Sequence, residues 1–288
     1  MLRTTLFAAS LALASHASLA AAPLTVQVYT ADAGSFNVNA TLVYGETEAI
    51  VIDSGFTRAD ALRIAAKVLD SGKQLRTIYI SQADPDYYFG AEILKVIFPQ
   101  ADVVTTPAVL EKLAAKMQAK LAFWGPKMAT NAPHAPVLPR ALSAPFLQLE
   151  GQTIEIRGTS GILAHRPYVW IPAIKTIAGN IAVVGNAHVW TADTQTVAER
   201  AAWIAQLDEM AALKPEIVVP GHMAAGTKTD ASAITFTKDY LQSFEKNLAA
   251  NKDSTGLIKA MQQAYPQLGT GTMSLEIGAK VNTGEMKW

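Results

Sequence analysis

Along residues 24–29 apolar side chains recur at every second position, a period that gathers them on one face of a strand. Residues 40–44 and the continuous apolar run 49–52 read as two more strands around a Gly45-Glu46 turn. The period then lengthens. Thr57 can cap a helix over 58–69, where Ala61, Ile64, Ala65 and Val68 share an apolar face, and Ser71-Gly72-Lys73 ends it. A buried strand over 77–80 follows, then a polar loop over 81–90, a helix over 91–98, a strand over 102–105 and a helix over 107–120 that opens on Pro107. Residues 124–145 hold Pro126, Pro133, Pro136, Pro139 and Pro145, which predicts an irregular insertion or flap rather than a second domain. Strands return at 146–149, 153–157, 168–171 and 181–184. A long helix over 196–213 carries Ala202, Ile204, Leu207 and Met210, a short strand covers 216–219, and residues 231–265 read as two helices. The tail to Trp288 has no clear period.

Strands thus come in runs and then alternate with helices, twice over. That order suits a two-sheet αββα sandwich as well as a doubly wound sheet. The motifs that would favour the doubly wound option are missing: there is no G-x-G-x-x-G, no phosphate-binding G-K-S/T loop and no G-x-S-x-G elbow.

Composition adds a substantial core and removes some partners. Half of the residues are hydrophobic and only 17% are charged, so a packed interior is expected and disorder is not. The formal net charge is zero, which gives no electrostatic grip on nucleic acid or an anionic membrane, and leaves a small molecule as the expected partner. Residues 1–22 read as a secretory signal, with Arg3, an apolar run over 6–13 and Ser18-Leu19-Ala20 as a small-residue cleavage site. The apolar run is well short of the roughly 20 residues that span a bilayer. Residues 23–288 are then expected as one domain, exported to a bacterial periplasm or secreted. The lack of cysteine suits the periplasm better than a disulfide-stapled module.

Four landmarks then appear in order: Ile52-Asp53-Ser54-Gly55, the strand and polar loop over 77–90, the Gly185-Asn186 turn, and Val219-Pro220-Gly221-His222. In order and spacing the chain resembles the metallo-β-lactamase superfamily over about residues 22–226, which implies the αββα sandwich. That family's first metal motif, His-x-His-x-Asp-His, places imidazoles and a carboxylate on one tight loop to hold zinc and activate water. Here it reads Gln82-Ala83-Asp84-Pro85-Asp86-Tyr87, so only Asp86 matches. The third histidine position falls near Ile162, with His165 three residues away; the bridging aspartate position falls at Asn186; the last histidine is present as His222. A dinuclear zinc site is therefore not expected.

Two readings of the residues stay open. Asp84 and Asp86, flanking Pro85 in an extended segment, would point to one side and join His188 and His222 around a single Zn, Mn or Fe ion. Alternatively the two acids only bond to nearby backbone N–H groups. Asp53 is expected to support the neighbouring loop. Tyr88, Trp124, His165 and Trp190 are the expected substrate contacts, with Tyr87, Phe89 and Phe123 near the same pocket edge. The resemblance implies a hydrolase acting on an ester, lactone or amide, in which Asp86, Asp84, His188 and His222 orient a water and Asn186 or Tyr87 donates to the developing oxyanion. The other class is a non-catalytic periplasmic binding or accessory protein that keeps the pocket without the chemistry.

Overall fold

The computed structural model describes residues 22–269 and 272–288. The segment read as an export signal lies, but for Ala22, outside the described residues. The first half builds one sheet and the helices that cover it: β1 (Thr25–Thr30), β2 (Asn39–Tyr44), β3 (Glu48–Ile52), α1 (Arg58–Ser71), β4 (Gln74–Tyr79), α2 (Pro85–Tyr88), α3 (Ala91–Ile97), β5 (Asp102–Thr105), α4 (Pro107–Met128) and β6 (Arg140–Ala141). The six strands lie in sequence order; β1, β2 and β3 pair antiparallel, and β3 to β6 run parallel. The switch to parallel pairing needs crossovers, which α1, α3 and α4 supply.

The second half holds β7 (Phe146–Leu149), β8 (Gln152–Arg157), β9 (Tyr168–Ile171), β10 (Thr176–Ala178), β11 (Val184–Gly185), α5 (Val197–Ala212), β12 (Ile217–Val218), β13 (His222–Met223), α6 (Ser232–Ala250), α7 (Ser254–Ala264) and α8 (Met273–Asn282). Its main sheet has the order β12-β10-β9-β8-β7, and β11 pairs with β13 as a separate two-stranded ribbon.

Three apolar clusters define the layers. Val43, Ile50, Ile52, Tyr79 and Val104 of the first sheet meet Leu149, Ile154, Ile156, Val169 and Ile171 of the second. The outer face of the first sheet packs on α1 and α3 through Val51, Ile78, Ile64, Val68 and Leu94. The outer face of the second packs on α5 and α6 through Trp170, Ile177, Trp203, Leu207 and Phe244. Strands buried on both faces explain the near-continuous apolar runs Ile50-Val51-Ile52 and Ile78-Tyr79-Ile80. The αββα sandwich is the observed fold.

Four elements differ from the sequence reading. The expected strand over 181–184 is extended only at Val184, where β11 begins; its apolar residues are buried, and the strand that pairs with β9 is β10, five residues earlier. The loop over 81–90 contains α2, because Pro85 at the first helical position presets the backbone for a turn. α4 runs on through Trp124 to Met128, tolerating Pro126 in its last turn, and the tail forms α8.

Candidate functional site

The loop after β4 is pinned at both ends to the turn between β3 and α1. Asp53, in the left-handed region at φ 64°, accepts the Ser81 N–H at 2.7 Å and the Ser81 hydroxyl at 2.8 Å. Burial pushes its carboxyl up to about 8, against the two hydrogen bonds. At the far end the Gly90 N–H donates to Gly55 at 3.0 Å, and a Cβ on Gly90 would sit 1.9 Å from the Ser54 carbonyl, so only glycine allows this approach. Between the pins, α2 turns the chain by about 100° per residue, which separates the two acids that an extended segment would have aligned. Asp84 lines a cavity, while Asp86 faces His222 with Oδ2 3.4 Å from Nε2.

The histidine is oriented from the other side. His222 opens β13, and its Nδ1 lies 2.9 Å from the Phe36 carbonyl, an acceptor that places the ring proton on Nδ1. Nε2 is left as a lone pair aimed at Asp86. Phe36 holds a left-handed conformation at φ 58°, and its neighbour Ser35 donates to Asp60 at 2.6 Å. Asp60 also accepts from Tyr29 and caps α1 through Thr57, so one buried carboxylate fixes the β1–β2 loop that orients His222. Burial raises the Asp86 carboxyl to about 7 and lowers the His222 imidazole, so both groups are pushed toward their uncharged forms.

The remaining expected residues are dispersed. His188 is buried against α6, with Nδ1 2.9 Å from the Tyr240 hydroxyl and Nε2 3.3 Å from the Gly269 carbonyl; both nitrogens are occupied there and it does not join the other three. Asn186 is exposed and lines a separate cavity with Thr227, Lys228 and Phe236. Tyr87 is fully buried, and its hydroxyl donates to the Asn180 carbonyl at 3.3 Å, which occupies the proposed oxyanion donor. Tyr88 is buried in the outer core instead of edging a pocket. Trp124, half-buried, packs edge-on against Phe36 and Phe56 at the margin of the same cluster. Trp190 donates to Asp193 at 2.6 Å and packs on Trp288. His165 does line the cavity beside Asp84.

These positions decide whether the family's metal centre fits. Gln82 turns its amide to the Pro167 carbonyl at 2.9 Å, Ile162 is an exposed aliphatic residue, the Tyr87 hydroxyl is bonded to the Asn180 carbonyl, and Asn186 lines a separate cavity. Asp86 and His222 are spaced as two donors of one tetrahedral ion would be, given metal–ligand bonds of about 2.1 Å, but a catalytic zinc takes three protein donors. Among the described residues no group of three or more His, Cys, Asp or Glu converges to hold a metal ion. Neither a dinuclear zinc centre nor the four-residue single-ion site fits these residues.

The cavity, about 200 Å³, is lined by residues from the α2 loop, α4, the segment before β9 and the start of α5. It contains Arg166 and Asp193, which the motif reading passed over. The available signal was an arginine directly before a proline and a wholly apolar strand, where a charged side chain must find a use or a partner.

Residues 33–172 match the family model of the metallo-β-lactamase superfamily. The solved structures agree in fold. A metallo-β-lactamase family protein from Thermus thermophilus superposes with a TM-score of 0.64 at 16% identity, covering 91% of each chain. A metallo-β-lactamase from Pontibacter korlensis gives a TM-score of 0.53 at 16% identity, over 78% of this chain and 97% of that one. No curated protein matches the sequence significantly. The chain is thus similar to the metallo-β-lactamase superfamily in sequence over residues 33–172, and shares the fold of these structures over most of its length.

Proposed function

We propose that the protein is an exported hydrolase that cleaves an ester, lactone or amide of a small molecule, using the Asp86–His222 pair to take and return a proton. The carrying observation is the orientation of His222: Nδ1 is tied to a backbone carbonyl and Nε2 is presented to Asp86. A carboxylate and an imidazole so held can accept a proton from an attacking water and deliver it to a leaving group, in the manner of general acid–base catalysis. Asp86 and His222 lie next to the cavity instead of lining it, and Asp84 is the charged residue that feels both.

A second reading is favoured by the closed positions. Gln82 and Tyr87 have turned onto backbone carbonyls, as would suit a pocket that binds without turnover. The test is a panel of small esters, lactones and amides with the wild type, Asp86→Asn and His222→Ala, each run with and without chelator. The hydrolase reading expects turnover that falls about 100-fold or more in either variant, with folding intact. Absence of turnover in the wild type, with ligand affinity altered only modestly in the variants, would establish the binding protein instead.

A further inference from the structure

The charged residues around the cavity are unequally committed. The Asp193 carboxylate accepts two indole N–H groups, from Trp190 at 2.6 Å and Trp288 at 2.8 Å. The Glu199 carboxylate accepts the Thr196 N–H and hydroxyl, both at 2.9 Å, in the capping box of α5. The cations are free by comparison. Lys112 and Lys116 project from the exposed face of α4 and have no hydrogen-bond or ion-pair partner among the described residues. Arg166 is only 4% exposed, its guanidinium makes no hydrogen bond to a described residue, and its Nη2 is a buried nitrogen left without a partner.

A buried guanidinium in that condition is costly to fold, because a charged donor left unsatisfied is penalised more heavily than a neutral one. The surroundings nonetheless hold it in place. The Trp203 ring lies 4.6 Å from Arg166 Cζ, and the Gln206 amide donates to the Arg166 carbonyl at 2.9 Å. Burial lowers the guanidinium pKa, while Asp193 and Asp84 act against that, so the group stays charged. A fixed, planar cation whose donors lack partners, at the wall of a cavity, is built to be satisfied by something that enters the cavity.

We propose that this cavity binds a small carboxylate-bearing molecule, with the Arg166 guanidinium as its anchor and Lys112 and Lys116 at the mouth attracting the anion. The planar fork matches a carboxylate bidentately. The volume is below the roughly 300–1,000 Å³ of sites for drug-sized ligands, so the molecule is small. Asp84, which caps α2 without a side-chain hydrogen bond, is available to a hydroxyl or amine elsewhere on the ligand. The inference rests on reading this cavity as the ligand pocket beside Asp86 and His222, but its test measures binding alone, so failure to find turnover does not decide it.

The test is calorimetric titration and thermal shift of the full protein with acetate, succinate and inorganic phosphate, at fixed ionic strength with chloride as the reference. Succinate or acetate is expected to bind and raise the melting temperature by mass action. Arg166→Gln should weaken that binding about tenfold or more, the loss expected of a hydrogen bond to a charged group. Without ligand, Arg166→Gln should be no less stable than the wild type, because it removes an uncompensated buried charge. Should it fail to fold, Lys112→Gln/Lys116→Gln on the exposed face of α4 is the second variant, expected to weaken binding several-fold and flatten its salt dependence. The proposal is overturned if neither carboxylate exceeds chloride, if phosphate binds in preference to both, or if Arg166→Gln binds like the wild type while losing ligand-free stability.

Discussion

Replacing Asp60 tests the chain of contacts that orients His222. One oxygen of this buried carboxylate accepts from Ser35 at 2.6 Å, from the Thr57 hydroxyl at 2.7 Å and from the Thr57 N–H at 3.0 Å; the other accepts from Tyr29 at 2.6 Å. In Asp60→Asn the amide oxygen can keep the first set, and the Tyr29 hydroxyl can turn to accept from the new NH₂. Only the charge assistance is lost, about half of each bond's strength, or roughly 1–2 kcal/mol in all. In Asp60→Ala the capping box is broken and several donors are left unpaired. That costs about 3–5 kcal/mol, comparable to breaking a buried ion pair. Urea denaturation monitored by circular dichroism reads both values. For a chain of this size Asp60→Ala corresponds to a fall in melting temperature of about 10 °C.

The pH dependence has a definite sign. Burial pushes the Asp60 carboxyl up, but the hydrogen bonds from Ser35, Tyr29 and Thr57 outweigh it and hold the pKa below the ordinary 3.8. A carboxyl depressed in the folded state contributes stability that is present above the unfolded pKa and lost as pH falls through the folded one. Wild-type stability should therefore drop below about pH 3.8 by a component that Asp60→Asn lacks. An Asp60→Ala variant within 0.5 kcal/mol of the wild type, roughly the scatter of surface substitutions, would refute the reasoning.

Gly221→Ala should destabilise by about 2 kcal/mol or more and displace His222, since its Cβ would lie 2.2 Å from the Asn180 carbonyl and 2.6 Å from the Tyr87 hydroxyl. Unchanged nitrogen shifts of the His222 ring in this variant would contradict the close approach. Elemental analysis of protein purified without chelator should find fewer than two zinc ions per chain, and a tight stoichiometry near two would show that the ligand positions are wrongly aligned. Export would remove roughly twenty residues, the usual length of a signal segment, so intact-mass measurement of natively produced protein should lack Met1; a mature protein that keeps it would overturn the localisation.

The sandwich was legible because its signals are local. Thr57 with Asp60 and Thr196 with Glu199 cap their helices by contacts three residues apart, and apolar period marks a strand or a helix whatever it packs against. The motif that the resemblance compares with the family's zinc ligands is equally local, since residues such as Gln82 and Tyr87 are single positions in one loop. What those positions do instead was settled only by tertiary structure. Pro85 turned the expected extended pair Asp84 and Asp86 into the start of a helix and sent them to different neighbours. His188 is two residues past Asn186, yet one is buried beside Tyr240 and the other is exposed. His222 takes its tautomer from a backbone carbonyl 186 residues away in sequence, and Arg166 is notable only because nothing around it completes its hydrogen bonds. Residue type and spacing decide which groups are present. Which lone pair meets which proton depends on backbone atoms brought together across the sheets, and no local pattern encodes that.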